Sequence, residues 1–214
     1  MITATNEGGG NFAPMEQGTY LARCYSMVHI GTILESYQGQ DKLQNKVRIS
    51  WEFPTELKEF KQGEGEKPYV LSKEFTLSLH EKSTLRAFLK SWRGKDFTED
   101  EAKAFDISKL IGVPCTASVI HVEKDGKKYA QIASVSTVMK GATVPSQINP
   151  SFELNYDNFD LDKFKSLPEF IRKKMEGSNE FAKVQNLVFE SENQRAQIES
   201  PVMNQNEPIE KLPF

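Results

Sequence analysis

The segment from Val119 to Val138 constrains the fold more than any other, because two strand-like runs in it are joined by Asp125-Gly126. A type I′ turn needs positive φ at both central residues, and Asp-Gly is a strong signal for that turn. The segment therefore predicts a β-hairpin. Basic residues and one ring surround the turn: Lys124, Lys127, Lys128 and Tyr129. Such a tip indicates either a solvent-exposed turn without a ligand or a loop that binds single-stranded nucleic acid in a small five-stranded barrel.

Three further strand-like runs precede this hairpin. Apolar and polar residues alternate from Gln44 to Phe53, which predicts a half-buried strand that Pro54 ends. The run from Gly18 to Gly31 alternates imperfectly, which predicts a strongly bent strand whose two ends pack against different partners. Tyr69 to Leu79 forms the third run, and the polar segment 35–43 predicts a loop.

Two helices are predicted between the third run and the hairpin. Ser83 or Thr84 can cap the first helix, apolar residues then recur at helical spacing, and Gly94 stops it. Thr98 with Glu101 fits a capping box at the start of a second, shorter helix.

Residues 15–140 therefore have the order strand, strand, strand, helices, strand, strand. This is the order of a five-stranded oligonucleotide-binding (OB) barrel, in which a helix between strands 3 and 4 plugs one end. We expect a mainly β fold with α-helices, built as an OB-fold barrel. An open α+β sheet with the same elements is the alternative.

The segments outside residues 15–140 have a different character. Residues 1–14 have little to bury and predict a flexible N-terminal arm. Residues 141–190 predict a linker and short helices, with an apolar stripe from Asp160 to Lys174 that Pro168 breaks or starts. Residues 191–214 are polar and contain three prolines, which predicts a disordered tail that ends in Leu-Pro-Phe.

Composition narrows the classes of protein that fit this chain. Cys24 and Cys115 are too few for a disulfide framework, and they indicate buried thiols in a reducing cytoplasm. The sequence contains no run of about 18 apolar residues, so it predicts no membrane span. The net charge is −3, yet Lys and Arg slightly outnumber Asp and Glu from Met15 to Lys140, so the acidic excess lies after Lys140. A weakly basic body with an acidic C-terminal region is typical of some nucleic-acid-binding proteins.

Motifs for catalysis, metals and cofactors are missing from the sequence. The three histidines lack partners at ligand spacing, and Gly8-Gly9-Gly10 lacks the Lys-Ser/Thr that follows in a phosphate-binding loop. Consecutive carboxylates at Glu99-Asp100-Glu101 are explained by the helix macrodipole rather than by a two-metal nuclease site. We therefore expect no enzyme, no metal and no cofactor, with a metal-dependent nuclease as the lesser alternative.

The last residues, Leu212, Pro213 and Phe214, follow two acids, Glu207 and Glu210, with Lys211 between Glu210 and the tip. This ending resembles the tail tip of bacterial single-stranded DNA-binding proteins, in which acids precede a small apolar pair and a terminal Phe. The resemblance implies that Leu212, Pro213 and Phe214 dock replication or recombination proteins. One buried ring, one paired carboxylate and steering acids would make such a hook.

More of the chain, most of residues 18–183, resembles phage-encoded single-stranded DNA-binding proteins. The resemblance rests on Gln17–Arg23, on Ser72–Phe75 with Leu85–Leu89, and on Leu167–Met175. It implies an OB fold, no catalysis, binding to DNA exposed in phage replication or recombination, and location in the host bacterial cytoplasm.

Our hypothesis is a non-catalytic protein that binds single-stranded DNA with little sequence preference, using cations on phosphates and rings on bases. A phage protein that uses a similar barrel to bind or support other proteins is the alternative, and a homo-oligomer stays open. Trp51 is ambiguous, because it lies on the apolar face of its strand yet near the presumed groove. The candidate DNA-binding residues are Arg23, Tyr25, Lys46, Arg48 and Lys73 on strand faces, Tyr37, Lys127, Lys128 and Tyr129 at loops, and Trp51.

Overall fold

A six-stranded sheet dominates the computed structural model, which describes residues 13–37 and 39–190. Its order is β3-β2-β1-β4-β5, and β6 pairs with β1. All neighbours are antiparallel except β1 and β6. The expectation of a mainly β fold with α-helices is confirmed. The strands are β1 (Gly18–Tyr37), β2 (Gln40–Glu59), β3 (Glu66–Thr76), β4 (Pro114–Lys124), β5 (Lys127–Ser136) and β6 (Phe152–Leu154).

The first two helices begin at residues that the sequence predicted as caps. Ser83 Oγ accepts from the Arg86 amide at the start of α1, and Gly94 ends this helix with φ 72°. Thr98 and Glu101 form both hydrogen bonds of the predicted capping box at α2. The helices are α1 (Thr84–Arg93), α2 (Glu99–Ala104), α3 (Leu161–Ser166) and α4 (Glu169–Glu176), with 3-10 turns at Ile107–Leu110 and Asn179–Lys183.

The sheet is not closed into the expected barrel. β1 pairs with both β2 and β4, which leaves β3 and β5 as the two ends of the strand order. Among the described residues, no backbone ladder joins β3 to β5. A side chain spans the gap instead, because Lys73 Nζ on β3 donates to the Ile132 carbonyl on β5 at 2.9 Å. We call the line along which β3 and β5 face each other the seam.

β1 and β2 are longer than the sequence predicted. The expected loop at 35–43 is largely strand, because the ladder between β1 and β2 continues to the pair Tyr37 and Gln40. Pro54 does not end β2. The β2–β3 register shifts between Phe53 and Leu57, and this irregularity accommodates a proline that cannot donate to the ladder.

Two separate cores pack on the sheet, and β1 contributes to both. The first core fills the space between the main sheet and α1, and its largest fully buried side chains include Trp51 and Phe53. The second core joins the far half of β1 to β6, α3, α4 and the last 3-10 turn, with Phe164 and Met175 at its centre.

Register shifts in β1 explain how one strand serves two cores. They fall between Cys24 and Ser26 and between His29 and Gly31. An extra residue in one strand reverses the face to which the following side chains point. Cys24 accordingly lies in the first core and Val28 in the second. The prediction that the two ends of this strand pack against different partners is confirmed.

The segment 141–190, expected as a linker and short helices, contains β6 and supplies most of the second core. In the described ranges 13–37 and 39–190, the helices are too short or too polar to cross a membrane.

Candidate nucleic-acid interface

A cleft of about 650 Å³ opens at the end of the sheet where the β2–β3 loop meets the β4–β5 hairpin. We call it the ring cleft, because three aromatic side chains line it. Residues 13–15, which precede β1, form a further wall. The side chains that matter below are Phe60, Tyr69, Tyr129, Lys127 and Lys128.

The hairpin presents its basic tip to this cleft. Asp125 and Gly126 have φ of 53° and 71°, the positive values that a type I′ turn needs, and Lys124 pairs with Lys127 across the turn. The predicted hairpin is therefore confirmed. Beyond the turn, Lys128 is exposed and Tyr129 retains 47% of its accessible surface. A ring this exposed can stack on a base without rearrangement.

The opposite wall of the cleft holds two further rings in fixed positions. Phe60 and Tyr69 meet edge to face, with centroids 5.2 Å apart. Lys58 Nζ lies 5.8 Å from the centroid of the Tyr69 ring and 3.5 Å from the Ala13 carbonyl oxygen. The Tyr69 hydroxyl also donates to that carbonyl, at 3.4 Å. Ala13 thus ties residues 13–15 to the ring wall.

The charged side chains that line the ring cleft are both cations, Lys127 and Lys128. No carboxylate lines it, and in the described part of the chain Lys127 and Lys128 form no ion pair. In the neighbouring loop, Glu64 accepts from Lys67 at 2.5 Å and lies 3.2 Å from Lys61. Hydrogen bonds from Lys67 and Lys61 hold the pKa of Glu64 below its usual range. Glu123 lies opposite Lys128 in the ladder and Asp125 is in the turn, but neither forms an ion pair with a tip lysine in the described residues, so both ammonium groups can meet an anion.

The cations predicted on the β2 face are already paired. Lys46 Nζ lies 2.7 Å from a Glu35 carboxylate oxygen, and Arg48 Nη1 lies 3.1 Å from one of Glu74. Arg48 also stacks over the Phe170 ring at 5.4 Å. A phosphate would have to displace these contacts, which makes both residues poor candidates.

Arg23 and Lys73 serve the fold in a similar way. The Arg23 guanidinium donates to the carbonyls of Gly112 at 2.6 Å and Pro145 at 2.9 Å. Lys73 bridges the seam, and burial lowers the pKa of its ammonium group. Both cations are committed to backbone oxygens.

Two of the predicted rings are shielded from a base. Trp51 is fully buried and packs against Phe88 and Trp92, with centroids 5.6 and 5.8 Å away. It belongs to the core, so we remove it from the candidate binding residues. Tyr25 is partly buried, and burial raises the pKa of its hydroxyl.

The remaining predicted residues are not placed in the ring cleft. Tyr37 is the last residue of β1, and only its backbone is described. Leu212, Pro213 and Phe214 lie outside the described residues.

Sequence reasoning missed Phe60 and Tyr69 as candidates for the site. Phe60 is the one aromatic residue in the charged segment 55–67, and that isolation is the signal that could have drawn attention to it. Tyr69 gave no comparable signal, because a ring at the start of a strand usually belongs to the core.

Within 13–37 and 39–190, no three His, Cys, Asp or Glu side chains come together in a way that could hold a metal ion. The geometry of the ring cleft suits binding by stacking and ion pairing.

Comparisons of the sequence with models of known protein families and with curated proteins found no match.

Proposed function

We propose that this chain is a non-catalytic protein that binds single-stranded DNA in the ring cleft with little sequence preference. The observation that carries the proposal is the meeting of three rings in one cleft with two lysines that form no ion pair within residues 13–37 and 39–190. Stacking on an aromatic ring tolerates any base and is worth roughly 1–3 kcal/mol per base. Lysines beside the rings supply the charge that phosphates need.

The architecture supports an OB-like fold as part of this proposal. The strand order β3-β2-β1-β4-β5, with α1 between β3 and β4, is the OB order without its last ladder. OB barrels are partly open, and their β4–β5 loop commonly contacts the ligand. The basic β4–β5 hairpin of this chain lies at the ring cleft. The seam would be the open side of such a barrel.

The proposed cellular role is in DNA replication or recombination, for which the resemblance to phage single-stranded DNA-binding proteins is the only support. Residues 212–214 would dock partner proteins. Deleting Leu212 to Phe214 should abolish capture of a partner while leaving DNA affinity unchanged or slightly higher. Lost DNA affinity in that variant would contradict the assignment of DNA binding to the ring cleft and of partner docking to residues 212–214.

The central test is a fluorescence titration of a labelled oligo-dT strand with the full chain over a series of salt concentrations. Tight binding at low salt that weakens with added salt is expected, because phosphate contacts release counterions. The variant Tyr129→Ala should bind about 5- to 160-fold more weakly, since roughly 1–3 kcal/mol of stacking would be lost. Phe189→Ala is the matched control, because it removes a ring that is 63% exposed far along the chain from the cleft.

Charge is tested separately from stacking. The double variant Lys127→Ala and Lys128→Ala should have a flatter slope of log K against log salt concentration. We expect the slope to change by about 1.4, because each of two lost phosphate contacts on a single strand contributes about 0.7. Lys103→Ala combined with Lys109→Ala removes two exposed lysines from elsewhere and should leave the slope unchanged. No binding of the unmodified chain at low salt would end the proposal.

A further inference from the structure

A second cleft, of about 430 Å³, lies at the opposite end of β3 from the ring cleft. We call it the upper cleft. The start of β2, the end of β3 and the residues that lead into α1 surround it. The residues used below are Lys42, Lys82, Gln44, Asn45 and Thr76, which all line it.

The upper cleft carries positive charge without a neutralising carboxylate. No Asp or Glu lines it, although Asp41 and Glu81 each adjoin one of its lysines in sequence. Glu35 lies opposite Lys42 in the β1–β2 ladder, but its carboxylate is held by Lys46 at 2.7 Å. Within the described ranges, Lys42 and Lys82 are exposed and form no ion pair.

The neutral side chains of this cleft leave hydrogen-bond donors available. Thr76 Oγ1 donates to Gln44 Oε1 at 2.6 Å, and Asn45 Oδ1 lies 2.7 Å from His29 Nε2. Both amide oxygens are engaged, and within the described ranges the NH₂ groups of Gln44 and Asn45 donate to no protein acceptor. Lysines and amide donors without carboxylates suit phosphate oxygens, whereas the scarcity of rings does not suit base stacking.

β3 runs from one cleft to the other, and the seam follows its edge that has no backbone ladder in the described residues. Leu71 lines the ring cleft and Thr76 lines the upper cleft, so they are separated by roughly 17 Å of strand at about 3.3 Å per residue. Glu74, between them, is neutralised by Arg48 at 3.1 Å and Lys174 at 2.7 Å. OB folds cover about 4 to 16 nucleotides of a single strand, which is sufficient for this span.

We propose that the upper cleft binds the sugar-phosphate backbone of the same nucleic-acid strand whose bases stack in the ring cleft, with the strand running along β3. This inference rests on the proposed function. It adds a second, ring-poor contact that holds phosphates, and it sets the minimum length of strand that the protein binds with full affinity.

The test compares three double variants of the full chain with the unmodified chain, on a thymidine dodecamer over a salt series. The upper-cleft variant is Lys42→Ala with Lys82→Ala, and the ring-cleft variant is Lys127→Ala with Lys128→Ala. The Lys103→Ala and Lys109→Ala variant is the control. The upper-cleft variant should bind at least about tenfold more weakly than the control, because two charge-assisted contacts to phosphates would be lost. Its salt slope should be flatter by about 1.4.

A shorter oligonucleotide tests whether the upper cleft contacts a part of the nucleic acid distant from the bases in the ring cleft. A thymidine trinucleotide has only two phosphates, on neighbouring nucleotides, so it cannot reach both clefts when its bases are stacked in the ring cleft. The upper-cleft variant should then bind it as the unmodified chain does.

The outcomes separate this inference from the proposed function. If the dodecamer binds and the ring-cleft variant loses affinity while the upper-cleft variant matches the control, the inference is overturned and the proposed function stands. If the unmodified chain does not bind the dodecamer, the proposed function fails and this inference fails with it. Circular dichroism of each variant shows that lost binding does not reflect lost folding.

Discussion

The two cores of this molecule differ in how much of the β-sheet encloses them. The first core is enclosed by most of the sheet and α1, and it buries large rings such as Trp51. The second core has only the far half of β1 and the short strand β6 as sheet, and the rest is helices and turns. Since β1 passes through both, the second core depends on a strand that the first core positions.

This difference indicates a one-way dependence. Loss of the first core should unfold the whole described structure, because β1 would lose its main sheet partners. Loss of the second core should leave the first core and the ring cleft in place, because β2, β3, β4 and β5 make few of its contacts. The four predictions below test that asymmetry.

Trp51→Ala should have the largest effect. A fully buried Trp that contacts Phe88 and Trp92 leaves a large cavity when truncated. We expect the free energy of unfolding to fall by about 4–5 kcal/mol. Urea unfolding followed by circular dichroism measures it, with hydrogen exchange reporting on each core. Persistent protection of β6 and α4 amides after the first core has opened would break the proposed dependence.

Phe164→Ala probes the second core in the same way. Phe164 retains only 2% of its accessible surface and packs near Phe159 and Phe181. Its truncation should cost about 3–4 kcal/mol, but the loss should be confined to the second core. Hydrogen exchange should become fast in α3 and α4, while amides of β4 and β5 keep their protection. Equal loss of protection in β4 would show that the two cores unfold as one.

Gly31→Ala tests the junction between β1 and the second core. Gly31 has φ 93°, and an added Cβ would lie 2.6 Å from Ser178 Oγ and 2.8 Å from a Glu180 oxygen. We expect a loss of about 2–3 kcal/mol, from backbone strain and from displacement of these neighbours. Gly126→Ala is the matched control, since Gly126 has φ 71° with open space around it and should lose only about 1 kcal/mol. Similar losses in thermal unfolding of the two variants would mean that the Ser178 contact does not constrain the junction.

The smallest expected effect is the pH dependence that Glu180 gives to the second core. Burial raises the pKa of Glu180, but hydrogen bonds from the Thr32 amide and hydroxyl, at 2.5 and 2.7 Å, outweigh burial and lower the pKa. A lowered folded-state pKa means that this stabilisation is fully present above the ordinary value of 4.5 and is lost as pH falls through the folded pKa.

Glu180→Gln should therefore reduce stability near neutral pH and flatten its decline in acid. The effect is screened, because Glu180 is partly exposed. Hydrogen exchange of second-core amides at a series of pH values measures it. An unchanged acid dependence in the variant would show that this carboxylate does not link the last 3-10 turn to β1.

Local chemistry made much of the fold predictable. The Ser83 cap, the Thr98–Glu101 capping box and the Asp125-Gly126 turn each depend on backbone groups within a few residues, and all three form as predicted. Long-range features were less accessible. The pairing of β6 with β1 joins residues about 126 positions apart, and the sequence had indicated only a linker there.

The candidate site shows the same limit. Lys46, Arg48 and Lys73 share the charge of Lys127 and Lys128, and the sequence does not show which of these cations is already held by other groups. In the fold, Glu35, Glu74 and the Ile132 carbonyl hold the three strand-face cations.

The sequence by itself determined where most strands, helices and turns form, because those depend on short-range periodicity, caps and turn residues. Only the tertiary structure decided which cations and rings remain free for a ligand. A charge on a strand face is neutralised or exposed according to which distant residue lies beside it. The hairpin tip extends beyond the packed sheet, so its lysines and Tyr129 stay exposed.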